Sequence, residues 1–199
     1  MNMEQLKKSL LEAPIVKKGK YSYVVHPITD GIPAIQPELL REVTGAMRTI
    51  IKQWGDIDKI VTMEAMGIPL ATVLSLDLDI PFTIIRKRCY GLPKEISVEQ
   101  VTGYSRSQLH INGLRKGDTI VIVDDVLSTG GTLRAVISAL RSMGVVIKGI
   151  LIAIDKGGTA EDIKRETNIP LVTLCTINVN DDEVTIQKIG ETISEGKHI

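Results

Sequence analysis

Residues 120–137 read IVIVDDVLSTGGTLRAVI and combine an apolar run, two acids, a turn of small residues and a helical pattern. Its first four residues, 120–123, form a continuous β-branched run, which is typical of a strand buried on both faces in a parallel sheet. Asp124 and Asp125 follow at the carboxyl end of this predicted strand. Open α/β sheets bind ligands beyond the carboxyl ends of their strands, so the paired acids are placed to contact a polar ligand.

The residues after the acids combine hydroxyl side chains with glycines. Ser128, Thr129 and Thr132 offer three hydroxyl groups. Gly130 and Gly131 lie at the start of a predicted helix, where peptide N–H groups are free to hold a phosphate. Phosphate oxygens need such donors, whereas ribose hydroxyls donate well to carboxylates, so the whole stretch fits a phosphorylated sugar. The alternative is a turn that only caps the helix, which needs one hydroxyl rather than three.

The motif VIVDDVLSTGGT resembles the phosphoribosyl pyrophosphate signature of the type I phosphoribosyltransferases. Four further motifs are similar to the adenine-type branch, and within it to the archaeal hypoxanthine phosphoribosyltransferases: HPITDGIP, EAMGIP, RKRCYGLP and VTGYS. The resemblance covers residues 14–157, and several motifs in order are more specific than one alone. It implies an α/β fold of the type I phosphoribosyltransferases, with a twisted, mainly parallel sheet flanked by helices, an amino-terminal hood and a mobile lid.

Composition and charge limit the classes of partner. With 199 residues and 43% hydrophobic content, the chain can form one domain with a substantial core, and we predict a single domain over residues 1–199. Lys plus Arg equals Asp plus Glu at 24 each, which favours neither nucleic acid nor a membrane surface as partner. No apolar run approaches the ~18 residues that span a bilayer, and the amino terminus lacks a signal peptide's apolar region. We therefore expect a cytoplasmic protein.

Strand and helix patterns alternate along the chain, which implies parallel pairing of the strands. The predicted strands cover residues 21–26, 59–63, 81–85, 109–111, 120–123, 145–154 and 170–177. The predicted helices cover residues 3–11, 37–51, 67–76 and 159–167, together with one that follows the phosphate motif and ends at Gly144. The remaining segments are a hood over residues 1–36 with a constrained loop at 27–37, a polar lid without clear periodicity at 88–108, and a frayed tail at 190–199.

A second anion site is predicted after the first core strand. The resemblance implies that Glu64, Ala65, Met66 and Gly67 form a pyrophosphate loop, whose N–H groups open a helix. Many adenine-type enzymes carry an arginine where this chain has Met66, so the charge partner of the diphosphate is open. An ordinary strand-to-helix turn is the alternative.

The basic run at the end of the next strand supplies candidates for that charge partner. Arg86 and Lys87 match the family segment that binds diphosphate, and Arg88 follows them. A solvated basic cluster is the alternative.

Recognition of the base is expected to involve the hood and one lysine. The resemblance of HPITD to the family's hood segment implies that backbone groups of Val25 and His26 read the purine, although a lone histidine is more often structural. The Lys156 ammonium is a donor without an acceptor and prefers a 6-oxo group to a 6-amino group. Its spacing in the sequence from Asp124 and Asp125 resembles that of the lysine that contacts the oxo group in hypoxanthine-guanine enzymes. A surface lysine beside Gly157 and Gly158 is the alternative.

The resemblance implies displacement of pyrophosphate from phosphoribosyl pyrophosphate by a purine nitrogen. Asp124 and Asp125 would be catalytic, holding the ribose and favouring positive charge in an oxocarbenium-like transition state. Mg²⁺ would bind mainly through the substrate and neutralise the diphosphate. The purine would be hypoxanthine, with guanine also accepted, in a purine salvage enzyme that is a homodimer.

The sequence leaves open which residue accepts the proton from the purine. Hypoxanthine-guanine enzymes carry an acid in the phosphate motif where this chain has Ser128, and adenine-type enzymes carry one where Gly103 precedes the lid residue Tyr104. Glu95 and Glu99 in the lid are candidates for this role.

Rival functions share the fold and the phosphate motif. One is a regulator that senses phosphoribosyl pyrophosphate, although the sequence shows no helix-turn-helix extension or basic arm. The others are adenine and orotate phosphoribosyltransferases. A metal triad is not indicated, because His110 and His198 lack partners at ligand spacing.

Overall fold

The structure is a computed structural model that describes residues 2–19, 21–101, 106–180 and 183–190. The helices and strands, in chain order, are α1 (Glu4–Leu11), β1 (Ile15–Lys18), β2 (Tyr21–Val24), α2 (Pro27–Asp30), α3 (Pro37–Ile51), β3 (Lys59–Met63), α4 (Gly67–Leu78), β4 (Phe82–Ile85), β5 (Ile96–Val101), β6 (Arg106–Ile111), β7 (Thr119–Leu127), α5 (Gly131–Ser142), β8 (Val146–Lys156), α6 (Ala160–Thr167), β9 (Leu171–Asn180) and β10 (Glu183–Ile189). A short 3-10 helix, Lys52–Trp54, follows α3.

A six-stranded sheet forms the centre of the fold, with strand order β10-β9-β8-β7-β3-β4. Every neighbouring pair is parallel except β10 with β9. Helices α3 and α4 pack on one face, and α5 and α6 pack on the other. The predicted α/β fold, a mainly parallel sheet flanked by helices, is confirmed. Because the parallel strands β3, β7 and β8 end at the same edge, the residues that follow them come together there.

Strand β7 shows why the apolar run specifies this arrangement. Val121 and Val123 face the core beneath α3 and α4, whereas Ile120 and Ile122 face the core beneath α5. All four side chains are fully buried. Successive residues of a strand point to opposite faces, so an uninterrupted apolar run is needed where both faces are covered. Each such side chain contributes about 1.5 to 3 kcal/mol through burial.

The predicted end of this strand was wrong by four residues. Strand β7 continues to Leu127 because its pairing with β8 continues, with Leu127 opposite Asp155. Asp124 and Asp125 therefore lie inside the strand rather than beyond it. Strand β1 and the antiparallel edge strand β10 were not predicted, because their half-exposed sequences carry many polar residues.

The prediction of an irregular segment at 88–108 was also wrong. Strands β5 and β6 pair antiparallel, and β6 begins at Arg106, before the predicted strand at 109–111. Val98, Leu109 and Ile111 are buried in the core beside α5. The sequence pattern does not reveal this packing, because each apolar residue is separated from the next by polar ones. Closure of the segment over a ligand stays a prediction, and Tyr104 lies outside the described residues.

The amino-terminal segment is more regular than expected. Residues 27–37, predicted as a loop, include the single helical turn α2, which begins at Pro27 with His26 as its amino-terminal cap. The division of the chain into hood, lid and tail stays a prediction, and residues 191–199 lie outside the described part. None of the helices in the described ranges combines the length and hydrophobicity needed to cross a membrane.

Candidate active site

A cavity of about 360 Å³ opens at the edge of the sheet where β3 and β7 end. It brings together residues from the phosphate motif, the acid pair and the start of the predicted pyrophosphate loop. The lining residues are Met63, Glu64, Leu109, Asp124, Asp125, Val126, Leu127, Ser128, Thr129, Gly130, Gly131, Thr132, Leu133 and Ile152. One cavity therefore contains both halves of the ligand site that the sequence predicts.

The floor of the cavity is the start of α5, whose first residue is Gly131. The N-cap residue is Gly130, which has no side chain to cap the helix. The amino terminus of α5 can therefore present first-turn N–H groups to an anion. Gly130 is required at the cap, because its φ is +75° and an added Cβ would lie 2.6 Å from Arg134 Nη1. The geometry favours a phosphate cradle over the capping turn.

The Arg134 side chain anchors this loop. It was not among the site residues predicted from the sequence. Its Nη1 donates to the Thr129 carbonyl at 3.1 Å, while Nε and Nη2 donate to both carboxylate oxygens of Glu166 at 2.6 and 2.9 Å. The guanidinium thus ties the phosphate loop to α6 and acts as a positioning residue. No local pattern reveals it, because its partner lies 32 residues away on another helix.

The acid pair is buried, with Asp124 and Asp125 exposed by 9% and 7%. Burial, reinforced by the neighbouring Asp125 carboxylate, raises the pKa of Asp124 well above its usual range. Burial raises the pKa of Asp125 to about 6, although the Lys156 ammonium acts in the opposite direction. Two buried carboxylates side by side favour the binding of a ligand that donates hydrogen bonds or carries positive charge.

Gly67 allows the start of α4 to lie directly against the acid pair. A Cβ at this position would be 2.1 Å from Thr62 Oγ1, 2.6 Å from Asp124 Oδ1 and 3.3 Å from the Val123 carbonyl oxygen. Real Cβ atoms do not approach so closely, so only glycine fits without movement of Asp124. The sequence identified Gly67 as part of an anion loop but did not reveal this contact.

The predicted pyrophosphate loop joins β3 to α4, and its Glu64–Ala65 peptide bond is cis. Glu64 forms an ion pair with Arg86. The parallel register places Met63 opposite Ile85, so the residues that follow these two strands meet at the same level. Arg86 therefore brings a guanidinium to the loop from the neighbouring strand.

The other predicted diphosphate contacts are placed differently. Met66 packs towards the hood, since its Cε lies 3.5 Å from the position of a Cβ built on Gly31. Lys87 and Arg88 are exposed, and the Arg88 guanidinium lies 5.4 Å from the centroid of the Tyr90 ring. Within the described part of the chain, Arg86 is the basic residue that contacts the loop, through its ion pair with Glu64.

His26 is fully buried, and both ring nitrogens have partners. Nδ1 accepts from the Ile28 N–H at 3.2 Å, so Nε2 carries the proton and donates to Ser9 Oγ at 2.8 Å. Burial, together with the nearby Lys156 ammonium, lowers the pKa of His26 to about 4. The ring is therefore neutral at pH 7, which favours the structural interpretation over acid-base catalysis.

The hood backbone has little donor capacity left. The N–H of Val25 donates to the Pro14 carbonyl at 3.0 Å, and the N–H of His26 donates to Asp30 Oδ2 at 2.9 Å. The Val25 carbonyl accepts no hydrogen bond from the described residues. If this segment contacts a base, it does so through carbonyl oxygens.

Lys156 is the last residue of β8 and is half-buried, so it is not the surface lysine of a glycine turn. Burial lowers its pKa, while the carboxylates of Asp30 and Asp125 act in the opposite direction. The ammonium is thus near enough to Asp30 in the hood and to Asp125 for the charges of both carboxylates to act on it. Asp30 was not identified from the sequence; its carboxylate also fixes the hood turn by accepting from the His26 N–H and from Thr29 Oγ1.

Comparison with known proteins identifies the family. A model of the phosphoribosyl transferase domain matches residues 34–187. The chain belongs to the phosphoribosyltransferase family. The hypoxanthine/guanine phosphoribosyltransferase of Methanocaldococcus infernus is 52% identical over 183 residues, which cover 92% of this chain and 100% of the relative. That of Methanohalophilus mahii is 51% identical over 191 residues, covering 96% and 99%. The crystal structure of adenine phosphoribosyltransferase from Rhodothermus marinus superposes with a TM-score of 0.69 at 26% identity, covering 89% and 98%.

The two acids predicted as proton acceptors of this phosphoribosyltransferase, Glu95 and Glu99, do not line the cavity. Glu95 accepts from Cys89 Sγ at 2.9 Å and from Asn112 Nδ2 at 2.7 Å, and these hydrogen bonds lower the pKa of Glu95 to about 2. A carboxylate so strongly stabilised is a weak base. Glu99 is exposed on β5. Whether either residue accepts the proton once the segment 88–108 has closed stays a prediction.

Proposed function

We propose that this chain transfers the 5-phosphoribosyl group of phosphoribosyl pyrophosphate to hypoxanthine, and also to guanine, forming IMP or GMP and pyrophosphate in purine salvage. The observation that carries the proposal is the cavity that combines a buried acid pair with a helix amino terminus whose N-cap is Gly130. Archaeal relatives that bear the name hypoxanthine/guanine phosphoribosyltransferase, at 52% and 51% identity, support the choice of base.

The two halves of the cavity would hold different parts of the substrate. The first-turn N–H groups of α5, with the hydroxyls of Ser128, Thr129 and Thr132, would bind the 5-phosphate. Asp124 and Asp125 would accept hydrogen bonds from the ribose hydroxyls. Their negative charge would also favour the positive charge that develops near the anomeric carbon as the pyrophosphate leaves.

Mg²⁺ fits the donors of this cavity. Carboxylates of Glu64, Asp124 and Asp125 line it, and Mg²⁺ prefers oxygen ligands, usually one or two carboxylates together with substrate phosphates. The acid pair would hold the ion jointly with the substrate, because Glu64 is already paired with Arg86. When bound, the ion neutralises charge on the leaving diphosphate. The guanidinium of Arg86 and the N–H groups of the loop at 64–67 would contact the same group.

The base would lie between the hood and Lys156. The ammonium would donate to the 6-oxo group of hypoxanthine or guanine, and the Val25 carbonyl would accept from a ring N–H. His26 would hold the hood in shape through its hydrogen bonds to Ile28 and Ser9. On the resemblance to the family, we further propose a homodimer in the cytoplasm and closure of residues 88–108 over the bound substrates.

Activity is expected to depend on added Mg²⁺. Purified protein incubated with phosphoribosyl pyrophosphate, hypoxanthine and Mg²⁺ should form IMP and pyrophosphate in equal amounts, measured by chromatography of the products. Chelation with EDTA should abolish turnover, and Mg²⁺ should restore it, because the leaving diphosphate loses its main neutralising charge. An absence of product in the presence of Mg²⁺ would overturn the proposal and favour the regulator that only senses the sugar phosphate.

Lys156→Gln is expected to weaken the preference for 6-oxopurines. Adenine offers its own amino donor to Lys156, which leaves a buried charged donor without an acceptor at a cost of ~1 to 3 kcal/mol or more. The wild type should therefore favour hypoxanthine over adenine at least about tenfold in kcat/KM. The side-chain amide of glutamine can donate or accept, so the substitution should narrow this ratio. Lys148→Gln, at an exposed lysine of the same strand, is the matched control. An unchanged ratio in Lys156→Gln would exclude Lys156 as the reader of the base.

A further inference from the structure

Three side chains of different ligand chemistry meet at the root of the β5–β6 hairpin. Cys89 Sγ lies 2.9 Å from Glu95 Oε1, and the same oxygen lies 3.7 Å from His110 Nδ1. One ligand atom from each residue falls within 4.8 Å of the other two. None of the three is among the residues that line the active-site cavity. The cluster is therefore a separate group of a thiol, a carboxylate and an imidazole.

We propose that Cys89, Glu95 and His110 bind a divalent cation of the zinc class. A thiolate with an imidazole selects Zn²⁺ over Mg²⁺, which prefers oxygen alone. Bond lengths of ~2.0 to 2.3 Å in a tetrahedral zinc site place neighbouring ligand atoms roughly 3.3 to 3.6 Å apart. The two separations given above fall on either side of this range, so small side-chain movements complete the site. The fourth position would hold water.

The surroundings already orient the ligands. Asn112 Nδ2 donates to Glu95 Oε2 at 2.7 Å, which turns the other carboxylate oxygen, Oε1, towards Cys89 and His110. The side chains of Glu95 and His110 are only 6% and 5% exposed, whereas Cys89 is exposed and leaves an entry path. Ser97 Oγ lies 3.1 Å from His110 Nδ1, and a metal–nitrogen bond would replace this neutral contact.

Other donors to the carboxylate are compatible with a bound cation. The backbone N–H groups of Tyr90 and Gly91 donate to Glu95 over 3.1 to 3.3 Å, and they hold the loop that carries Cys89 against the hairpin. In the metal-free protein the Cys89 thiol donates to the carboxylate, so the cation takes the place of that proton. The Cys89 thiol loses its proton to solvent, and no redox step is involved.

Metal binding would connect the hairpin to the basic run beside it. The backbone of Arg86 exchanges two hydrogen bonds with His110, at 3.0 and 2.6 Å. Cys89 follows this run directly in the sequence, so a metal held by Cys89 and His110 would add a second link, beside these hydrogen bonds, between the basic run and β6. Occupancy should therefore reduce the motion of this run relative to β6.

The test is titration of the metal-free, full-length protein with Co²⁺, followed by displacement with Zn²⁺. Co²⁺ stands in for Zn²⁺ and gives a thiolate-to-metal charge-transfer band only when sulfur is a ligand. We expect one Co²⁺ per chain with this band, and its loss on addition of one equivalent of Zn²⁺. Isothermal titration with Zn²⁺ gives the affinity directly, and a large excess of Mg²⁺ should not compete.

Two variants and two controls decide the assignment. Cys89→Ala should abolish the band and weaken Zn²⁺ binding by more than the ~10- to 100-fold typical of losing an outer-shell partner, and Asn112→Ala should show that outer-shell loss. Cys175→Ala removes the buried cysteine of β9 and should retain the band. A double variant, Asp124→Asn with Asp125→Asn, should also retain it, because the acid pair is not the site. No band in the wild type, or an undiminished band in Cys89→Ala with native circular dichroism, would overturn the proposal.

Discussion

A double variant, Asp124→Asn with Asp125→Asn, is expected to lose at least about 100-fold in kcat/KM while gaining stability at neutral pH. The loss follows because two neutral amides neither accept the ribose hydroxyls as strongly nor favour positive charge at the anomeric carbon. The gain follows because both carboxylates are buried together, and burial raises the pKa of each. Loss of activity with increased stability would separate a role in the reaction from a role in folding.

The sign and pH window of the stability change follow from the direction of these shifts. A carboxyl whose pKa is raised on folding binds its proton more tightly in the folded state, so its contribution is present at low pH and is lost as pH rises. An unfolded aspartate has a pKa of about 3.9, and that of Asp125 in the folded protein is about 6. The ionised Asp125 carboxylate alone therefore lowers the free energy of unfolding by about 2 to 3 kcal/mol above pH 7.

Thermal unfolding between pH 4 and pH 8 measures this effect. The double variant should unfold several degrees above the wild type at pH 8, and the difference should shrink towards pH 4. Asp77→Asn, at an exposed acid on α4, should change neither activity nor the pH dependence. Full activity in the double variant would remove the proposed ribose role. A variant that is inactive and also less stable at pH 8 would show that the acids act mainly in folding.

Gly67→Ala is expected to reduce kcat/KM by about 100-fold, since a misplacement of about 1 Å at the reacting centre can cost that much. The added Cβ would clash with Thr62 Oγ1 and with Asp124 Oδ1, at 2.1 and 2.6 Å. Relief requires α4 or the acid to move, and either change alters the cavity. Overpacking of this kind also costs about 1 to 3 kcal/mol of stability.

Gly45→Ala is the matched control for this substitution. Gly45 lies within α3, and a Cβ there meets nothing within 4 Å. Alanine in a helix is favoured over glycine by about 0.5 to 1 kcal/mol, so this variant should be slightly more stable and fully active. The two variants add the same methyl group, and kinetics with hypoxanthine compares them. If Gly67→Ala retained wild-type kcat/KM, the close contact with Asp124 would have no bearing on the reaction.

The sheet could be predicted from local sequence because its strands carry local signals. The β-branched run at 120–123 and the helical patterns around it specify burial on both faces of β7. The extension of β7 to Leu127 could not be predicted, since it depends on pairing with β8, and two acids in a strand are read as its end. The β5–β6 hairpin was missed for a similar reason: its buried residues are few and alternate with polar ones.

The residues of the candidate site could be predicted, or not, for the same physical reason. Residues that belong to contiguous motifs, such as Ser128–Thr132 and the acid pair, could be placed in one cavity from the sequence. Contacts that depend on register could not. Arg86 meets Glu64 because β3 and β4 are parallel with Met63 opposite Ile85, and His110 meets Glu95 because β5 and β6 form a hairpin. The cluster of Cys89, Glu95 and His110 likewise depends on this register and not on sequence spacing.

The preference among bases decides whether this chain is a phosphoribosyltransferase for 6-oxopurines. The measurement is kcat/KM for pyrophosphate release from phosphoribosyl pyrophosphate and Mg²⁺ with each of hypoxanthine, guanine, adenine, xanthine and orotate. We predict that hypoxanthine is a good substrate, that guanine is also used, and that adenine is at least about tenfold poorer. A preference for adenine or orotate, or no turnover with any of the five bases, would contradict this prediction.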